Sequence, residues 1–327
     1  MYRDPYKKNY KRKVDSGNHF HNVLCLSEAK GMDIKKMNSI TLINGGKVPV
    51  IGYGPGIILS PKMEIKELLH GNMKRVYKDM QAISTLTRIG KTPMTMIDTS
   101  ASYEYSQVYI GNVIRKNRDR YYIVSKVSNK AQFSSSVEQE FEKTIRELKV
   151  DYLDLYLLHW PVQEHFLDSW KVLEKLYRSG RCRAIGVANC NIHHLEEIKE
   201  IAQTMPMVNQ IECHPLFLND ATVKYCNDND IRVMAYTPTA RMDDRLKGTQ
   251  LPALAAKYNK SIAQIILKWH IQQGRIPIVN TSQIKHLYEN CNIFDFQLTK
   301  SEIEMINAAN INSRLRYDPD NCDFTKL

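Results

Sequence analysis

The stretch LDLYLLH, residues 153–159, is apolar on both of its alternations, with Leu153, Leu155 and Leu157 on one and Tyr156 and Leu158 on the other. A strand with one face in water alternates apolar with polar, whereas a strand apolar on both faces is covered on both, as parallel strands flanked by helices are. Two short apolar runs precede it, MTMID (94–98) and YYIVSKV (121–127). Five follow it: RAIGVA (183–188), MVNQIE (207–212), IRVMAY (231–236), IPIV (276–279) and NIFDF (292–296). That makes eight expected strands.

The intervals are long enough for helices. A helical stretch is expected near 61–89. Ser135-Ser136-Val137-Glu138 offers a capping box ahead of a stripe of Val137, Phe141, Ile145 and Leu148. Trp170, Leu173 and Tyr177 share a face in the next interval, which Gly180 ends, and Ile262, Ile265, Ile266 and Trp269 mark another. Strands alternating with helices imply parallel pairing, and eight such units close into a (β/α)8 TIM barrel; an open doubly wound sheet is the alternative. Ahead of the first run, ITLINGGKVPVIG (40–52) places Asn44-Gly45-Gly46 between two apolar stretches, a β-hairpin signal. The expected organisation is a basic, flexible extension over 1–38 and one α/β barrel over 39–327.

Composition narrows the class. The 327 residues are 43% apolar and 25% charged, which suits a globular chain and excludes a disordered or collagenous one. No apolar run reaches the roughly 18–20 residues that span a bilayer, so no membrane association is expected. Of the formal net charge of +11, residues 1–38 hold nine Lys or Arg against four acids. That opening lacks the apolar core of a secretory signal and reads as a solvated tail, with no nucleic-acid partner expected. The seven cysteines form no CxxC pair and no Cys/His cluster at zinc spacing, so reduced thiols, a cytoplasmic location and no metal are expected.

A barrel gathers its chemistry at the C-terminal ends of its strands. The runs end on or beside Asp98, Lys126, His159, Asn189, Gln210, Tyr236 and Asn280, seven polar residues from eight runs. Each has an ordinary structural role open to it: Asp98 as a cap, Lys126 facing solvent, His159 bonded within the core.

At these positions IDTSASY (97–103), IVSKV (123–127), DYLDLYLLHWP (151–161), IGVANCN (185–191) and VNQIECHP (208–215) resemble successive signatures of the aldo-keto reductase family. The hairpin resembles the one that caps the barrel bottom in that family, and the likeness runs from about residue 40 to 320, through RYDPD (316–320). It implies a catalytic tetrad of Asp98, Tyr103, Lys126 and His159, with Tyr105 as a close rival to Tyr103. The chemistry suits those types. A carbonyl accepting hydride builds negative charge on oxygen and needs a proton. A free phenol, with a pKa of about 10, gives one reluctantly at neutral pH, and a nearby ammonium held by a carboxylate favours the phenolate. A histidine can orient the carbonyl or assist proton transfer.

The same resemblance implies a nicotinamide cofactor, its carboxamide bonded by Asn189 and Gln210 and its ring stacked on Tyr236. Ala188 stands where the family usually has Ser, removing one hydroxyl. Asn280, Thr281 and His286 stand where Lys, Ser and Arg commonly surround the 2′-phosphate, and Glu289 and Asn290 match the adenine side. Trp160 is an expected apolar wall of the substrate pocket, while Pro55 and Gly56 replace the usual Thr and aromatic. Exchanging two fixed cations for an amide and an imidazole weakens the hold on a phosphate dianion. NADPH is the expected cofactor, with NADH admitted.

The resulting expectation is an enzyme, an NAD(P)H-dependent carbonyl reductase acting on a small aldehyde or ketone as a monomer or weak dimer. The alternative is a catalytically weak barrel serving as a cofactor-binding or regulatory subunit. The complete tetrad separates them in favour of the enzyme.

Overall fold

The structure is a computed structural model and describes residues 39–327. The extension expected over 1–38 lies outside the described residues. Among the described residues ten strands and twelve α-helices follow in chain order, and eight of the strands close into a parallel barrel.

The barrel strands are β3 (Gly52–Tyr53), β4 (Met96–Asp98), β5 (Tyr122–Val127), β6 (Leu155–Leu158), β7 (Ile185–Ala188), β8 (Val208–Glu212), β9 (Arg232–Tyr236) and β10 (Ile276–Val279). Each pairs with the next in sequence, and β10 closes the ring on β3 through Ile278↔Gly52 and Val279↔Tyr53. The LDLYLLH stretch behaves as its pattern requires, since all four residues of β6 are buried.

Two sequence expectations are corrected. NIFDF (292–296) is not a strand, and the eighth strand is Gly52–Tyr53. At Gly52 a Cβ would stand 2.8 Å from both Ile278 Cδ1 and Met96 Cε, so a larger residue there would push the tips of those two side chains aside. The strand follows directly on the apolar stretch Val48–Ile51, which the sequence pattern assigns to the hairpin. Residues 292–296 instead follow α11 (Ile284–Cys291), where Phe294 and Phe296 pack under the Lys268 ammonium at 5.9 and 5.5 Å. The capping box at 135–138 is not formed either. Ser136 is the N-cap of α5 (Val137–Leu148), but its hydroxyl is 2.7 Å from that of Ser134 and makes no cap bond.

Helices cover the outside of the ring as the stripes require. Val137, Phe141, Ile145 and Leu148 of α5 are all buried, and so are Trp170 and Leu173 of α6 (Phe166–Arg178). Burying each such side chain stabilises the fold by about 1.5–3 kcal/mol. The hairpin strands β1 (Ser39–Thr41) and β2 (Lys47–Pro49) pair antiparallel, and buried Leu42 and Val48 join Met96, Val124, Leu155, Val208 and Met234 in the core inside the ring. That plug closes the end of the barrel where the strands begin and leaves the opposite end for chemistry. Among the described residues no helix is long and apolar enough to cross a membrane, and the six described cysteines are free thiols.

Candidate active site

The strand ends meet as the barrel geometry demands. A cavity of about 470 Å³ opens at the C-terminal mouth, and its walls include Asp98, Tyr103, His159, Trp160, Asn189, Gln210, Tyr236 and Asn280. Asp98 ends β4 and Tyr236 ends β9, while His159 follows β6 and Asn189 follows β7. Lys126 lies just beneath, near the end of β5 and without exposed surface.

The buried charges are satisfied reciprocally. Lys126 Nζ donates to Asp98 Oδ2 at 2.6 Å and to the Thr99 carbonyl at 2.9 Å. The second Asp98 oxygen accepts from Gln210 Nε2 at 2.8 Å. Asp98 thus joins strands β4, β5 and β8, and the ammonium has a fixed position.

Tyr103 reaches the cavity because the chain turns after β4, its amide donating to the Ser100 carbonyl at 3.1 Å. Its ring meets His159 edge-on with centroids 5.6 Å apart, and Lys126 Nζ lies 5.5 Å from its centroid. The rival Tyr105 is exposed as the N-cap of α3 (Ser106–Ile114) and turns its ring against Tyr109 at 5.7 Å. The tetrad positions therefore converge, and Tyr105 stays outside the cavity walls.

Electrostatics modify the expected picture of the phenol. Burial pushes the Tyr103 hydroxyl above its ordinary value; Lys126 pulls the other way, Asp98 adds to the rise, and Arg316 opposes it. The ammonium moderates the rise rather than producing a net fall. Burial likewise drives His159 well below the usual histidine range, and the charges of Lys126 and Arg316 push it further. This imidazole is neutral at physiological pH. Its Nδ1 is 3.1 Å from Ser100 Oγ, which also accepts the Ser102 amide at 3.1 Å. The Ser100 hydroxyl has two acceptors in reach, this nitrogen and the Lys126 carbonyl at 3.5 Å, and donation to Nδ1 goes with a ring proton on Nε2.

The cofactor-side residues divide into two groups. Asn189, with a left-handed backbone (φ 59°), donates through Nδ2 to the His159 carbonyl at 2.9 Å and accepts from the Tyr236 hydroxyl at 2.7 Å. Gln210 uses its nitrogen on Asp98, and its carbonyl oxygen has no protein donor among the described residues. An amide oxygen has two lone pairs and an amide nitrogen two protons, so the pair keeps donors and acceptors for a carboxamide in the cavity that Tyr236 also lines. This donor set fits a nicotinamide. Ala188 is buried inside β7 and does not line the cavity.

The second group lies beyond the cavity walls, apart from Asn280. Thr281 Oγ1 sits 3.5 Å from His286 Nδ1, the threonine half-buried and the histidine exposed. On α11, Glu289 receives Lys285 at 3.6 Å, and Asn290 is buried. Asn280 does line the cavity, but its Nδ2 donates to the Gly54 carbonyl at 2.7 Å. Trp160 forms a wall, its ring 6.3 Å from His159 and 6.2 Å from Phe324.

Sequence reasoning missed three cations on the walls, Lys78, Arg241 and Arg316. Arg316 opens the RYDPD motif, so its vicinity was legible, but nothing in the sequence marks the other two. It also missed a cluster in which His193 and His194 face Asp320 at 3.4 and 3.8 Å. There the Asn191 amide donates to His194 Nδ1, and Asn191 Nδ2 donates to Asp320 at 2.8 Å. The cluster clasps the C-terminal segment to the start of α7 (Ile192–Ile201).

Comparison with known proteins bears on the same region. The family model described as the aldo/keto reductase family matches residues 69–311. Glyoxal reductase of Bacillus subtilis (strain 168) is 34% identical over 290 residues, covering 88% of this chain and 98% of that protein. The 9,11-endoperoxide prostaglandin H2 reductase of Trypanosoma cruzi (strain CL Brener) is 37% identical over 230 residues, covering 69% and 81%. Among solved structures, a Bombyx mori aldo-keto reductase in complex with NADP superposes with a TM-score of 0.73 at 27% identity, covering 86% of this chain and 96% of that one.

Proposed function

The chain belongs to the aldo/keto reductase family, and from that premise we propose that it reduces a small aldehyde or ketone to the alcohol with a nicotinamide cofactor, Tyr103 giving the proton. The observation that carries this reading is the meeting of Tyr103, His159 and the Lys126–Asp98 pair at one cavity on the barrel mouth.

When bound, the cofactor supplies the hydride. Tyr103 holds its proton through the physiological range because burial raises its pKa. As charge develops on the substrate oxygen, that proton moves to it, and the Lys126 ammonium stabilises the phenolate left behind. Asp98 fixes the ammonium. His159 donates from Nε2 to the carbonyl oxygen and orients it, a role suited to a neutral ring that is not an acid at these pH values. Asn189, Gln210 and Tyr236 would hold the nicotinamide, and Trp160 would form an apolar wall for the substrate. The glyoxal reductase among the relatives supports a small reactive carbonyl as the substrate class.

The preference between cofactors is weak on this reading. Asn280 is tied to Gly54, Lys285 is already paired with Glu289, and Thr281 and His286 bring no fixed charge. NADPH is the cofactor, bound less than tenfold more tightly than NADH. Thr281, His286, Glu289 and Asn290 would flank its ribose and adenine.

Turnover of 4-nitrobenzaldehyde with each reduced cofactor tests the proposal, alongside fluorescence titration of both. Oxidation of the cofactor that depends on the aldehyde is expected. Tight cofactor binding with no turnover of any reactive aldehyde would instead favour a binding or regulatory barrel.

A further inference from the structure

The cavity mouth carries more positive charge than the tetrad uses. Lys78, Arg241 and Arg316 line it, while the one acid on its walls, Asp98, is paired with Lys126. We propose that Lys78 is a phosphate-binding residue for the nicotinamide cofactor, supplying from a different element the fixed charge that positions 280, 281 and 286 lack. The proposal rests on the functional reading above.

The argument begins with α2 (Met73–Thr87), the helix that carries Lys78. One face of α2 grips the segment after β10: Thr85 Oγ1 donates to the Ser282 carbonyl at 2.9 Å, and Ser282 Oγ donates to Gln81 Oε1 at 3.4 Å. Residues 78, 81 and 85 are spaced i, i+3 and i+7, so they share that face. Lys78 therefore stands one turn nearer the helix start on the surface that faces residues 280–283. It also shares the cavity with Asn280.

The local segment offers no competing charge. Gly56 has φ +78° and so favours glycine, and a Cβ there would stand 2.9 Å from Asn280 Nδ2. The 54–56 backbone is thus close against Asn280 and holds its amide on Gly54. Nor is Lys78 neutralised by its chain neighbour. The Asp79 carboxylate is buried, accepts the Leu59 amide at 2.6 Å and faces Arg75 at 3.7 Å. Among the described residues no carboxylate pairs with Lys78. An exposed ammonium with three donors on a flexible stem suits a phosphate oxygen as a point charge. Phosphate is available from two parts of such a cofactor: the pyrophosphate, common to NADH and NADPH, and the ribose 2′-phosphate, present in NADPH alone.

Fluorescence titration of the full chain with NADPH and NADH tests this, using wild type, Lys78→Ala, Lys78→Arg and, as a distant control, Lys199→Ala. Because Lys78 is exposed, its replacement leaves the fold intact. Lys78→Ala is expected to weaken NADPH binding about five- to twentyfold and flatten its salt dependence. Lys78→Arg should restore most of the affinity, and Lys199→Ala should change nothing. Equal weakening of NADH supports contact with the pyrophosphate, and unchanged NADH supports the 2′-phosphate. Unchanged affinity for both cofactors in Lys78→Ala overturns the proposal and leaves the functional reading standing. A wild-type chain that binds neither cofactor overturns both.

Discussion

Lys126 Nζ lies 2.6 Å from Asp98 Oδ2, with the lysine closed to water and the carboxylate nearly so at the cavity wall, so the ammonium beside Tyr103 is held by a carboxylate that Gln210 holds in turn. Removing one partner of a fully buried pair leaves the other charge unpaired, which costs about 3–5 kcal/mol. Asp98→Asn and Lys126→Met should each lower stability by about that amount in urea denaturation. The double variant should recover a large part of the loss. Additive losses would show that the two groups do not act as a pair.

The shifts at the site predict its pH dependence. Tyr103 is raised above the ordinary phenol value and stays protonated across the neutral range, while His159 is lowered well below 6.5 and stays neutral there. The required forms therefore coexist across the neutral range, and kcat/KM for carbonyl reduction should be flat between about pH 6.5 and 9. Arg316 depresses both groups, so Arg316→Ala should move each pKa upward. A break near pH 7–8 in the wild-type profile, carried by His159, would contradict this assignment.

His194 links acidity to stability. Burial lowers its pKa to about 4, with His193 adding to the fall and Asp320 opposing it. An unfolded histidine titrates near 6.5, so between those values the unfolded chain binds more protons and stability rises with pH. The contribution is complete above about pH 6.5 and is lost as pH falls towards 4, at most roughly 3 kcal/mol. Protonation would also end the bond from the Asn191 amide to Nδ1. Denaturation midpoints measured from pH 7 to 4.5 should fall less steeply in His194→Gln than in wild type.

The barrel was legible because burial on both faces leaves a pattern that one strand can show, as Leu155–Leu158 does, and helices between such strands leave little else to build. The strand at Gly52–Tyr53 was not, since two residues directly after the hairpin's apolar stretch are too short to stand out as a run of their own. Phe294 and Phe296 misled for the converse reason, being apolar because they pack against the core and under the Lys268 ammonium rather than to pair. The site was legible where a strand end fixes a side chain, as at Asp98 and Tyr236. Lys78 and Arg241 were hidden because helix packing and a loop conformation bring them to the mouth, and no periodicity records that. The sign of the Tyr103 shift was hidden too: the sequence names Lys126, but only the fold shows how deeply the phenol is buried.

The central claim is that Tyr103 is the proton donor, and paired Tyr103→Phe and Tyr105→Phe variants test it most directly. Aldehyde reduction and cofactor binding are measured side by side. Tyr103→Phe should lower kcat/KM for 4-nitrobenzaldehyde by about a thousandfold or more with cofactor Kd within about twofold of wild type, and Tyr105→Phe should leave both unchanged. A Tyr103→Phe enzyme within about tenfold of wild type, or a Tyr105→Phe enzyme that loses turnover in its place, would contradict the account.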